Sequence, residues 1–355
     1  MNKAIENVII LIPAYEPSNR LVAYVDRLHD EGFNRVVVVD DGSGGGFCSV
    51  FAALEEMAHC VVLRHEVNRG KGAALKTGYE FISRRFPDAA GILTADADGQ
   101  HTPEDCRRLG EALMESPDAL YLGCRDFSLP GIPFRSRFGN RMTSALFGLL
   151  YGRWIGDTQT GLRAFPLSEV PFMMAQAGDR FEYEMGVLTA VARSRFPIRV
   201  LPIRTIYEDG NSCSHFRPVR DALRIYGLIC GQFLRFTGIS IASFLLDQGL
   251  AWAFAVFLNM REVRSAGIIW GSGFAARFIS SIFNYTLNRS VVFGGKSRVA
   301  ASAWRYAALC VLVIVMSNAG VWGLCALGMQ RGPAKLLCDC LLYFVGYRIQ
   351  QKWVF

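Results

Sequence analysis

A pair of aspartates that directly follows an apolar run is the part of this sequence best suited to metal chemistry. Asp96 and Asp98 come after the run Ile92–Ala95. Two carboxylates two residues apart on an extended segment point the same way, and clustered oxygen ligands suit a hard divalent cation, Mg²⁺ or Mn²⁺, that also bridges a substrate diphosphate. A solvated turn explains many such strings, but the preceding apolar run favours a metal site within Asp96–Gln100.

Two further polar clusters contain residue types that bind nucleotides or other anions. Asp40–Ser43 offers side chains that can hydrogen-bond a base or a ribose, although a plain turn uses the same residue types. Gly70–Gly72 opens a helical stretch, so its backbone N–H groups and the ammonium of Lys71 are available to an anion. The Walker A pattern is absent from the sequence. Any phosphate site here is therefore not a P-loop.

Each of these clusters follows a short β-rich run, and helical stretches separate the runs. The four runs are residues 8–12, 36–39, 61–63 and 92–95. Leu21–Glu31 and Gly72–Arg85 are two of the helical stretches between them, and a fourth polar cluster, Pro13–Tyr15, follows the first run. This alternation predicts an α/β domain with a parallel, doubly wound sheet. Ligands of such sheets lie at the carboxyl ends of the strands, which is where all the clusters fall.

The composition indicates that part of the chain lies in lipid. Hydrophobic residues make up 51% of the 355 residues and charged residues 19%, below the roughly 25% that is usual for soluble proteins. Residues 236–355 hold 11 of the 38 basic residues but three of the 31 acidic ones, so the net charge of +7 comes from this tail. Basic residues between long apolar runs are typical of membrane flanks and exclude a nucleic-acid groove. The ten cysteines have neither zinc-site nor disulfide spacing.

The tail has room for four membrane-spanning helices. Three runs with at most one charge each are residues 236–260, 265–288 and 306–330. Each exceeds the ~20 residues that a bilayer core requires. Leu336–Tyr347 is shorter, and it reaches spanning length if Lys335 and Arg348 snorkel to the interfaces.

An internal repeat supports this count of four spans. The charges of the loops indicate how the spans are oriented. Residues 233–252 resemble 303–322, and residues 283–293 resemble 344–355, which predicts two successive helix pairs. The loop between the second and third spans carries four basic residues, against two in each of the other loops. This bias predicts that the N-terminal domain is cytoplasmic.

Three ionisable residues fall inside the predicted spans: Asp247, Arg277 and Asp339. Such groups are costly at the centre of a bilayer, so we expect all three to face the interior of the bundle. Two interpretations stay open. The residues form an internal ion pair that holds helices together, or they handle a lipid phosphate or sugar.

The segment before the first span, Ser214–Ile229, has the pattern of an amphipathic helix. Its apolar face is Phe216, Val219, Leu223 and Tyr226, and its basic face is Arg217, Arg220 and Arg224. We expect this helix to lie on the inner leaflet and to guide a lipid phosphate to the site. The alternative is a helix that packs on the soluble domain.

Five motifs follow one another along the first part of the chain: IPAYEPSNRL, VVVVDDGS, NRGKGAALKTGY, LTADADGQH and DTQTGLRAF. Together, over residues 6–215, they resemble the family 2 glycosyltransferases, in particular the dolichol-phosphate mannose synthase-like group. The tail, residues 232–355, is similar to the GtrA-like family of four-span proteins, which are associated with movement of lipid-linked sugars. The resemblance implies a glycosyltransferase A-type (Rossmann-like) domain at 1–215, a juxtamembrane helix at 216–231 and a four-helix transmembrane bundle at 232–355.

The resemblance also implies a role for each matching residue. Donor binding falls on Pro13, Tyr15, Asp40, Asp41, Lys71 and Asp96, and metal binding on Asp96, Asp98 and Gln100. The acceptor phosphate is expected to contact Arg125, Ser136, Arg137 and Arg163, and the catalytic residues are Asp98, Arg125 and Arg163. Glu16 stands where the family commonly has Asn, so a donor contact by that Asn does not carry over.

These implications predict an integral enzyme of the inner membrane with a cytoplasmic catalytic domain. It transfers a hexose, with inversion, from a nucleotide sugar of the GDP-mannose or UDP-glucose class to undecaprenyl or dolichyl phosphate, for cell-surface polysaccharide or glycan modification. The acceptor phosphate is anionic near neutral pH, so no protein base is needed, and Mg²⁺ or Mn²⁺ stabilises the departing diphosphate. The alternative is a transporter of lipid-linked sugar that the soluble domain feeds. A processive synthase is disfavoured because its QxxRW motif is absent. A homo-oligomer is compatible with the sequence.

Overall fold

The computed structural model describes residues 5–194, 196–205, 218–257, 266–295 and 297–355, and for residues 135, 218–222, 255 and 266–273 it describes the backbone alone. The chain divides into two compact units, Met1–Ile229 and Cys230–Phe355. The division falls inside the predicted juxtamembrane helix, 216–231. Of that helix, Ser214–Arg217 and the side chains of Val219 and Arg220 lie outside the described residues, so its two faces stay a prediction.

The first unit is built on a seven-stranded sheet with the order β3-β2-β1-β4-β6-β5-β7. Its strands are β1 (Val8–Ala14), β2 (Val36–Asp40), β3 (Cys60–Arg64), β4 (Gly91–Thr94), β5 (Leu120–Arg125), β6 (Arg163–Pro166) and β7 (Ile198–Ile203). β1 to β4 pair in parallel, as predicted. β6 lies outside the four runs on which that prediction was based, and it is antiparallel to β4 and β5, so the sheet is mixed. The chain enters β6 at the carboxyl edge, where Arg163 pairs with Thr94, so it can only run back across the sheet.

Helices cover both faces of this sheet. They are α1 (Arg20–Asp30), α2 (Cys48–Glu55), α3 (Lys71–Arg85), α4 (Pro103–Glu115), α5 (Phe134–Tyr151), α6 (Val170–Met174) and α7 (Glu182–Arg193). α1, α2 and α4 share a core cluster with alternate residues of β1, beginning with Val8 and Ile10. α3 packs on the other face, so closely that a Cβ at Gly78 would overlap the side chain of Leu11. Burial on both faces explains why the strands are continuous apolar runs.

The register of the parallel strands brings the polar clusters to one edge. β1 and β2 end together, because Ala14 pairs with Asp40. β4 runs beside β1, and Asp96 follows its last residue by two positions. α3 begins at Lys71, shortly after β3. The predicted meeting of the clusters at the carboxyl ends of the strands is confirmed.

The described part of the tail contains four long helices: α8 (Pro218–Phe257), α9 (Ala266–Leu287), α10 (Val299–Ala326) and α11 (Arg331–Ile349). Two stretches of these helices, Leu223–Phe254 and Val299–Ala326, are long and apolar enough to cross a bilayer. These four helices broadly fit the predicted bundle. Length and composition support a membrane span for α8 and α10, whereas spans formed by α9 and α11 stay predictions.

The internal repeat is visible in the way the two helix pairs end. α9 continues into a π-helical turn at Asn288–Val292, and α11 into another at Gln350–Val354. After each turn a phenylalanine N–H, of Phe293 or Phe355, donates to the carbonyl five residues before it, at 2.9 and 3.0 Å. The two phenylalanine rings stack with their centroids 5.1 Å apart. The repeated sequences therefore adopt the same irregular ending and pack on each other.

An ion pair joins α8 to α9. Arg277 Nη2 lies 3.2 Å from Asp247 Oδ2, and the hydroxyl of Ser280 donates to Asp247 Oδ1 over 3.1 Å. The Asp247 side chain is 7% exposed and that of Arg277 is 70% exposed. The expectation that these residues face the interior holds for Asp247 but is wrong for Arg277 within one chain, because its long side chain reaches outward from the carboxylate.

Asp339 takes part in a separate contact between α10 and α11. Its Oδ1 accepts from the hydroxyl of Ser317, at 2.7 Å, and from Lys335 Nζ, at 2.9 Å. The side chain of Asp339 is 49% exposed. The expectation that it faces the interior is therefore wrong, because Lys335 one turn earlier on the same helix already neutralises it. The internal repeat aligns Ser317 with Asp247, so the same position of the repeat takes part in both contacts.

Replacing Asp247 with Asn is expected to lower the amount of protein in the membrane severalfold. Arg277 then loses its carboxylate, and an Arg at mid-bilayer costs about 2.5–3.5 kcal/mol on insertion scales. Asp339→Asn is the matched control, since Lys335 is half exposed and we expect it to snorkel to the interface. Fluorescence size-exclusion of the tagged full chain measures both. Equal abundance of Asp247→Asn and wild-type protein would contradict a structural role for this ion pair.

Candidate active site

Lys71 joins two carboxylates at the carboxyl edge of the sheet. Its Nζ lies 2.7 Å from Asp96 Oδ1 and 2.8 Å from Glu184 Oε2. Asp96 follows β4, and Glu184 lies in the first turn of α7. The side chains of Lys71 and Glu184 are 16% and 9% exposed. Reduced solvation strengthens the attraction between these charges, so the three side chains form a fixed cluster.

The charges of this cluster hold each other in the ionised state. Burial alone would lower the pKa of Lys71, but the carboxylates of Asp96 and Glu184 raise it above its ordinary value. Burial alone would raise the pKa of Asp96, but Lys71 and His101 together lower it well below its usual range. Loss of surrounding water and the charge of Asp96 raise the pKa of Asp98. Lys71 and Asp96 therefore stay charged at neutral pH.

Two glycines bring the start of α3 against α7. Gly70 has φ +104°, and a Cβ there would overlap the carbonyl of Asp179. A Cβ at Gly72 would overlap Tyr183, which lies beside Glu184. The N–H of Ala73 donates to the Asp179 carbonyl over 3.0 Å. The Gly-Lys-Gly cluster is therefore needed for the close packing that places Lys71 against Glu184.

Asp41 holds the loop that precedes α3. The residue is 3% exposed. Its Oδ1 lies 2.8 Å from His65 Nδ1 and accepts from the N–H of Arg69 over 3.0 Å. Its Oδ2 accepts from the N–H of Gly70 over 2.7 Å. Part of the anion-binding capacity predicted for this helix start is thus used by the protein itself. A nucleoside contact by Asp41 stays a prediction.

Ser43 holds together the turns that follow β1 and β2. Its N–H donates to Asp40 Oδ1, and its hydroxyl accepts from the N–H of Glu16, each over 2.8 Å. Glu16 has φ +51°, a left-handed conformation that Asn adopts more readily than Glu. Asn at this position would therefore fit the backbone better. Pro13 and Tyr15 lie at the end of β1, both partly buried, and their donor contacts stay predictions.

Asp96 is enclosed on its other sides by a histidine and a glycine. Nε2 of His101 lies 3.2 Å from Asp96 Oδ2. His101 is 2% exposed, and its Nδ1 has no hydrogen-bond partner among the described residues. A Cβ at Gly161 would overlap the Asp96 carboxylate. Glycine is therefore the residue that fits at position 161 without displacing the Asp96 carboxylate.

The donor atoms at this edge fit a hard divalent cation only in part. Asp96 and Asp98 supply carboxylate oxygens, and Gln100 adds an amide oxygen on the same segment. The N–H of Gln100 donates to Asp98 Oδ1 over 3.0 Å, which closes the segment into a turn. Across the described part of the chain, no three His, Cys, Asp or Glu side chains could hold a metal ion together. A cation here would need further oxygens from another molecule.

Arg125, the last residue of β5, is held by a buried carboxylate. Its Nε donates to Asp157 Oδ2 over 2.7 Å, and the Asp157 side chain is fully buried. Its guanidinium lies over the ring of Phe127, 5.2 Å from the centroid. Arg125 itself is 18% exposed. The carboxylate and the ring thus orient a guanidinium at the edge of the sheet that also carries Asp96.

Arg163 is almost fully buried and donates to backbone carbonyls of a loop and of α7. The residue is 5% exposed. Its Nε donates to the carbonyl of Thr160 over 2.9 Å, and its Nη1 to the carbonyl of Glu184 over 2.7 Å. It is buried because β6 lies between two other strands of the sheet. Through these bonds Arg163 fixes the start of α7 and with it Glu184. Its Nη2 has no hydrogen-bond partner among the described residues, and its predicted contact with an acceptor phosphate stays a prediction.

Ser136 and Arg137 lie in the first turn of α5. Arg137 Nη2 donates to the carbonyl of Leu129 over 2.9 Å. Neither residue has a described contact with Arg125 or Asp96. Their predicted contacts with an acceptor phosphate stay predictions.

α5 also carries an exposed apolar stripe. Phe134, Phe138 and Met142 are 77%, 53% and 40% exposed. The rings of Phe134 and Phe138 stack with their centroids 5.9 Å apart, and the side chain of Arg141 is exposed beside them. An apolar stripe flanked by a basic residue is typical of a surface that meets lipid.

Sequence reasoning missed four residues that build this site. Asp157 and Gly161 lie in the motif DTQTGLRAF and His101 in LTADADGQH, so the motifs contained them without showing what they contact. Glu184 lies within α7, and no strand end or motif precedes it. Only the packing of α7 on α3 reveals it.

Residues 9–167 match Glycosyl transferase family 2, and residues 254–355 match the GtrA/DPMS transmembrane domain. The chain is therefore a glycosyltransferase and a membrane protein. Its catalytic half is a family 2 glycosyltransferase domain, and its tail is a GtrA/DPMS transmembrane domain, which confirms both resemblances.

Two relatives and one solved structure are similar to this chain. The UDP-N-acetylglucosamine–dolichyl-phosphate N-acetylglucosaminyltransferase of Methanococcus voltae is 27% identical over 57% of this chain and 86% of its own. The polyprenol monophosphomannose synthase of Mycolicibacterium smegmatis is 30% identical over 45% of this chain and 62% of its own. The crystal structure of mannosyl-3-phosphoglycerate synthase from Rubrobacter xylanophilus covers 65% of this chain and 74% of its own, with a TM-score of 0.50 and 15% identity. This last likeness shows a shared fold.

Proposed function

We propose that this protein transfers a hexose from a nucleotide sugar to polyprenyl phosphate and inverts the anomeric centre. The observation that carries the proposal is the charge cluster of Lys71, Asp96 and Glu184 at the carboxyl edge, beside the exposed carboxylate of Asp98. The cluster carries more negative than positive charge, so it suits the diphosphate of a donor through a divalent cation placed between them. Two relatives whose names give dolichyl phosphate or a polyprenol phosphate as acceptor or product support a lipid acceptor.

On the donor side, the chain supplies oxygen ligands and one ammonium. Asp96, Asp98 and Gln100 would hold a divalent cation, Mg²⁺ or Mn²⁺, which neutralises charge on the departing diphosphate when bound. Lys71 is close enough to Asp96 to meet the same diphosphate. Pro13, Tyr15, Asp40 and Asp41 lie at the neighbouring strand ends, where they would bind the nucleoside.

On the acceptor side, the chain supplies guanidinium groups and a lipid-facing helix. Arg125 is oriented by Asp157, and Ser136 and Arg137 lie at the start of α5. A guanidinium forms strong charge-assisted hydrogen bonds with a phosphate. The exposed apolar stripe of α5 suits the approach of a prenyl phosphate from a lipid surface.

This arrangement needs no catalytic base. A polyprenyl monophosphate is already anionic near neutral pH, so its oxygen can attack the anomeric carbon directly. The work of the chain is to hold the acceptor in line and to place positive charge on both phosphates. A single displacement of this kind gives a β-linked lipid phosphate sugar from an α-linked donor.

In this proposal the enzyme lies in the inner membrane with its catalytic domain in the cytoplasm, where nucleotide sugars are made. The tail anchors it. Asp247 and Arg277 are joined to each other, and Asp339 to Lys335, which favours anchoring over transport of the lipid-linked sugar.

The test is to incubate membranes that contain the chain with polyprenyl phosphate and labelled GDP-mannose, UDP-glucose or UDP-N-acetylglucosamine. One donor is expected to label the organic phase, and EDTA is expected to stop the labelling. The label should be released by mild acid, as expected of a sugar phosphodiester. Membranes without the chain are the control. If no donor labels the lipid, the proposal is wrong.

Arg125→Lys is expected to raise the apparent KM for polyprenyl phosphate about tenfold or more and to leave the KM for the donor unchanged. The point charge of Lys cannot keep both the contact with Asp157 and a two-point contact with phosphate. Arg199→Lys, on the edge strand β7, is the matched control. A change confined to the donor KM would assign Arg125 to the nucleotide site instead.

A further inference from the structure

The ammonium of Lys71 is bonded to the carboxylate that would bind the cation. Nζ lies 2.7 Å from Asp96 Oδ1, while His101 Nε2 lies 3.2 Å from Oδ2. Each carboxylate oxygen of Asp96 thus already contacts a side-chain nitrogen of the protein. A divalent cation that binds Oδ1 would stand next to the Lys71 ammonium, and the two positive charges repel each other in this partly dehydrated place.

Glu184 gives Lys71 a second carboxylate that lies outside the Asp96–Gln100 segment. Its Oε2 is 2.8 Å from Lys71 Nζ, and its side chain is 9% exposed. Its position is fixed from behind, because Arg163 donates to its carbonyl over 2.7 Å. Lys71 can therefore leave Asp96 without losing its counter-charge.

We propose that Lys71 and the divalent cation compete for Asp96, and that the diphosphate of the donor decides the competition by drawing the ammonium onto itself. Glu184 is the positioning residue that keeps Lys71 within reach of both partners. The cation therefore binds weakly to the enzyme alone and tightly once a nucleoside diphosphate is present. This inference rests on the proposed function, in which Asp96 binds both cation and donor.

The test measures Mn²⁺ binding to the full-length enzyme in detergent, by the loss of the free Mn²⁺ signal in electron paramagnetic resonance. Titrations are done alone and with saturating UDP or, in parallel, GDP. The quantity compared is the ratio of the Mn²⁺ Kd without nucleotide to that with nucleotide. In wild-type enzyme this ratio is expected to be about 100 or more, which is a coupling between the two sites.

Lys71→Met is expected to tighten Mn²⁺ binding in the absence of nucleotide about tenfold or more and so to reduce the ratio by at least that factor. Glu184→Gln is expected to weaken Mn²⁺ binding without nucleotide, since Lys71 then has Asp96 as its remaining carboxylate in the cluster. Lys76→Met is the matched control. Lys76 lies on the same helix but bonds Asp179 and the carbonyl of Gly178, so this variant should keep the wild-type ratio.

The outcomes separate this inference from the function on which it rests. If Lys71→Met folds and keeps the wild-type ratio, competition is wrong while the metal site stands. If Lys71→Met does not fold, Glu184→Gln decides, and unchanged or tighter Mn²⁺ binding without nucleotide overturns the inference. If the wild-type enzyme does not bind Mn²⁺ even with UDP or GDP, the proposed metal site itself is wrong.

Discussion

Replacing Asp98 with Ala is expected to abolish sugar transfer and to leave the protein folded. The Asp98 side chain reaches solvent, and its carboxylate accepts one hydrogen bond among the described residues, from the N–H of Gln100. Its loss therefore removes little that holds the domain together. If Asp98 binds the cation that neutralises the departing diphosphate, the rate should fall about 1000-fold or more.

Transfer of labelled sugar to extracted lipid, at saturating Mg²⁺ or Mn²⁺, gives the rate, and thermal unfolding in detergent gives the stability. Asp118→Ala is the control, because Asp118 is also exposed but pairs with Arg199, away from the carboxyl ends of the strands. That variant should keep both activity and melting temperature. If Asp98→Ala transferred sugar at the wild-type rate in the presence of EDTA, the metal assignment would be wrong.

Gly161→Ala is expected to reduce transfer about 100-fold through a single added methyl group. A Cβ at this position would overlap the carboxylate of Asp96, so the carboxylate must leave its place between Lys71 and His101. Overpacking of this kind typically costs about 1–3 kcal/mol of stability. The expected loss of activity is larger than the loss of stability because Asp96 belongs to both the charge cluster and the proposed cation site.

Gly156→Ala provides the comparison within the same loop. A Cβ at Gly156 has no neighbour within 4 Å, so this variant should keep activity and stability. Labelled transfer and thermal unfolding are measured for both. Equal activity of Gly161→Ala and wild-type enzyme would show that the exact place of the Asp96 carboxylate does not matter for transfer.

The position of the site at the carboxyl ends of the strands could be predicted from the sequence, because each polar cluster directly follows its strand. Pairing of Ala14 with Asp40 makes two of these strand ends adjacent, and a parallel sheet brings the others to the same edge. The antiparallel direction of β6 could not be predicted. The four residues of this strand, Arg163–Pro166, do not indicate at which edge of the sheet the chain enters it. For the same reason the burial of Arg163 was missed.

Contacts between side chains of elements that are distant along the chain could not be predicted from the sequence. Glu184 is 113 residues from Lys71, and nothing near it marks a site. In the tail, the sequence identified the costly residues Asp247, Arg277 and Asp339, but not their partners. The partners depend on which helix faces which, and the apolar periodicity of helices surrounded by lipid does not fix that choice.

The buried carboxylate of Asp41 joins two distant motifs into one structural unit. DDGS supplies the acceptor oxygens, and NRGKG supplies the N–H groups of Arg69 and Gly70 that fill them. A chimaera that exchanged one motif with a relative of different loop geometry would bury the Asp41 carboxylate without these two N–H donors, at a cost of several kcal/mol. If Asp41 binds the nucleoside as proposed, an exchange of donor preference would need both loops together.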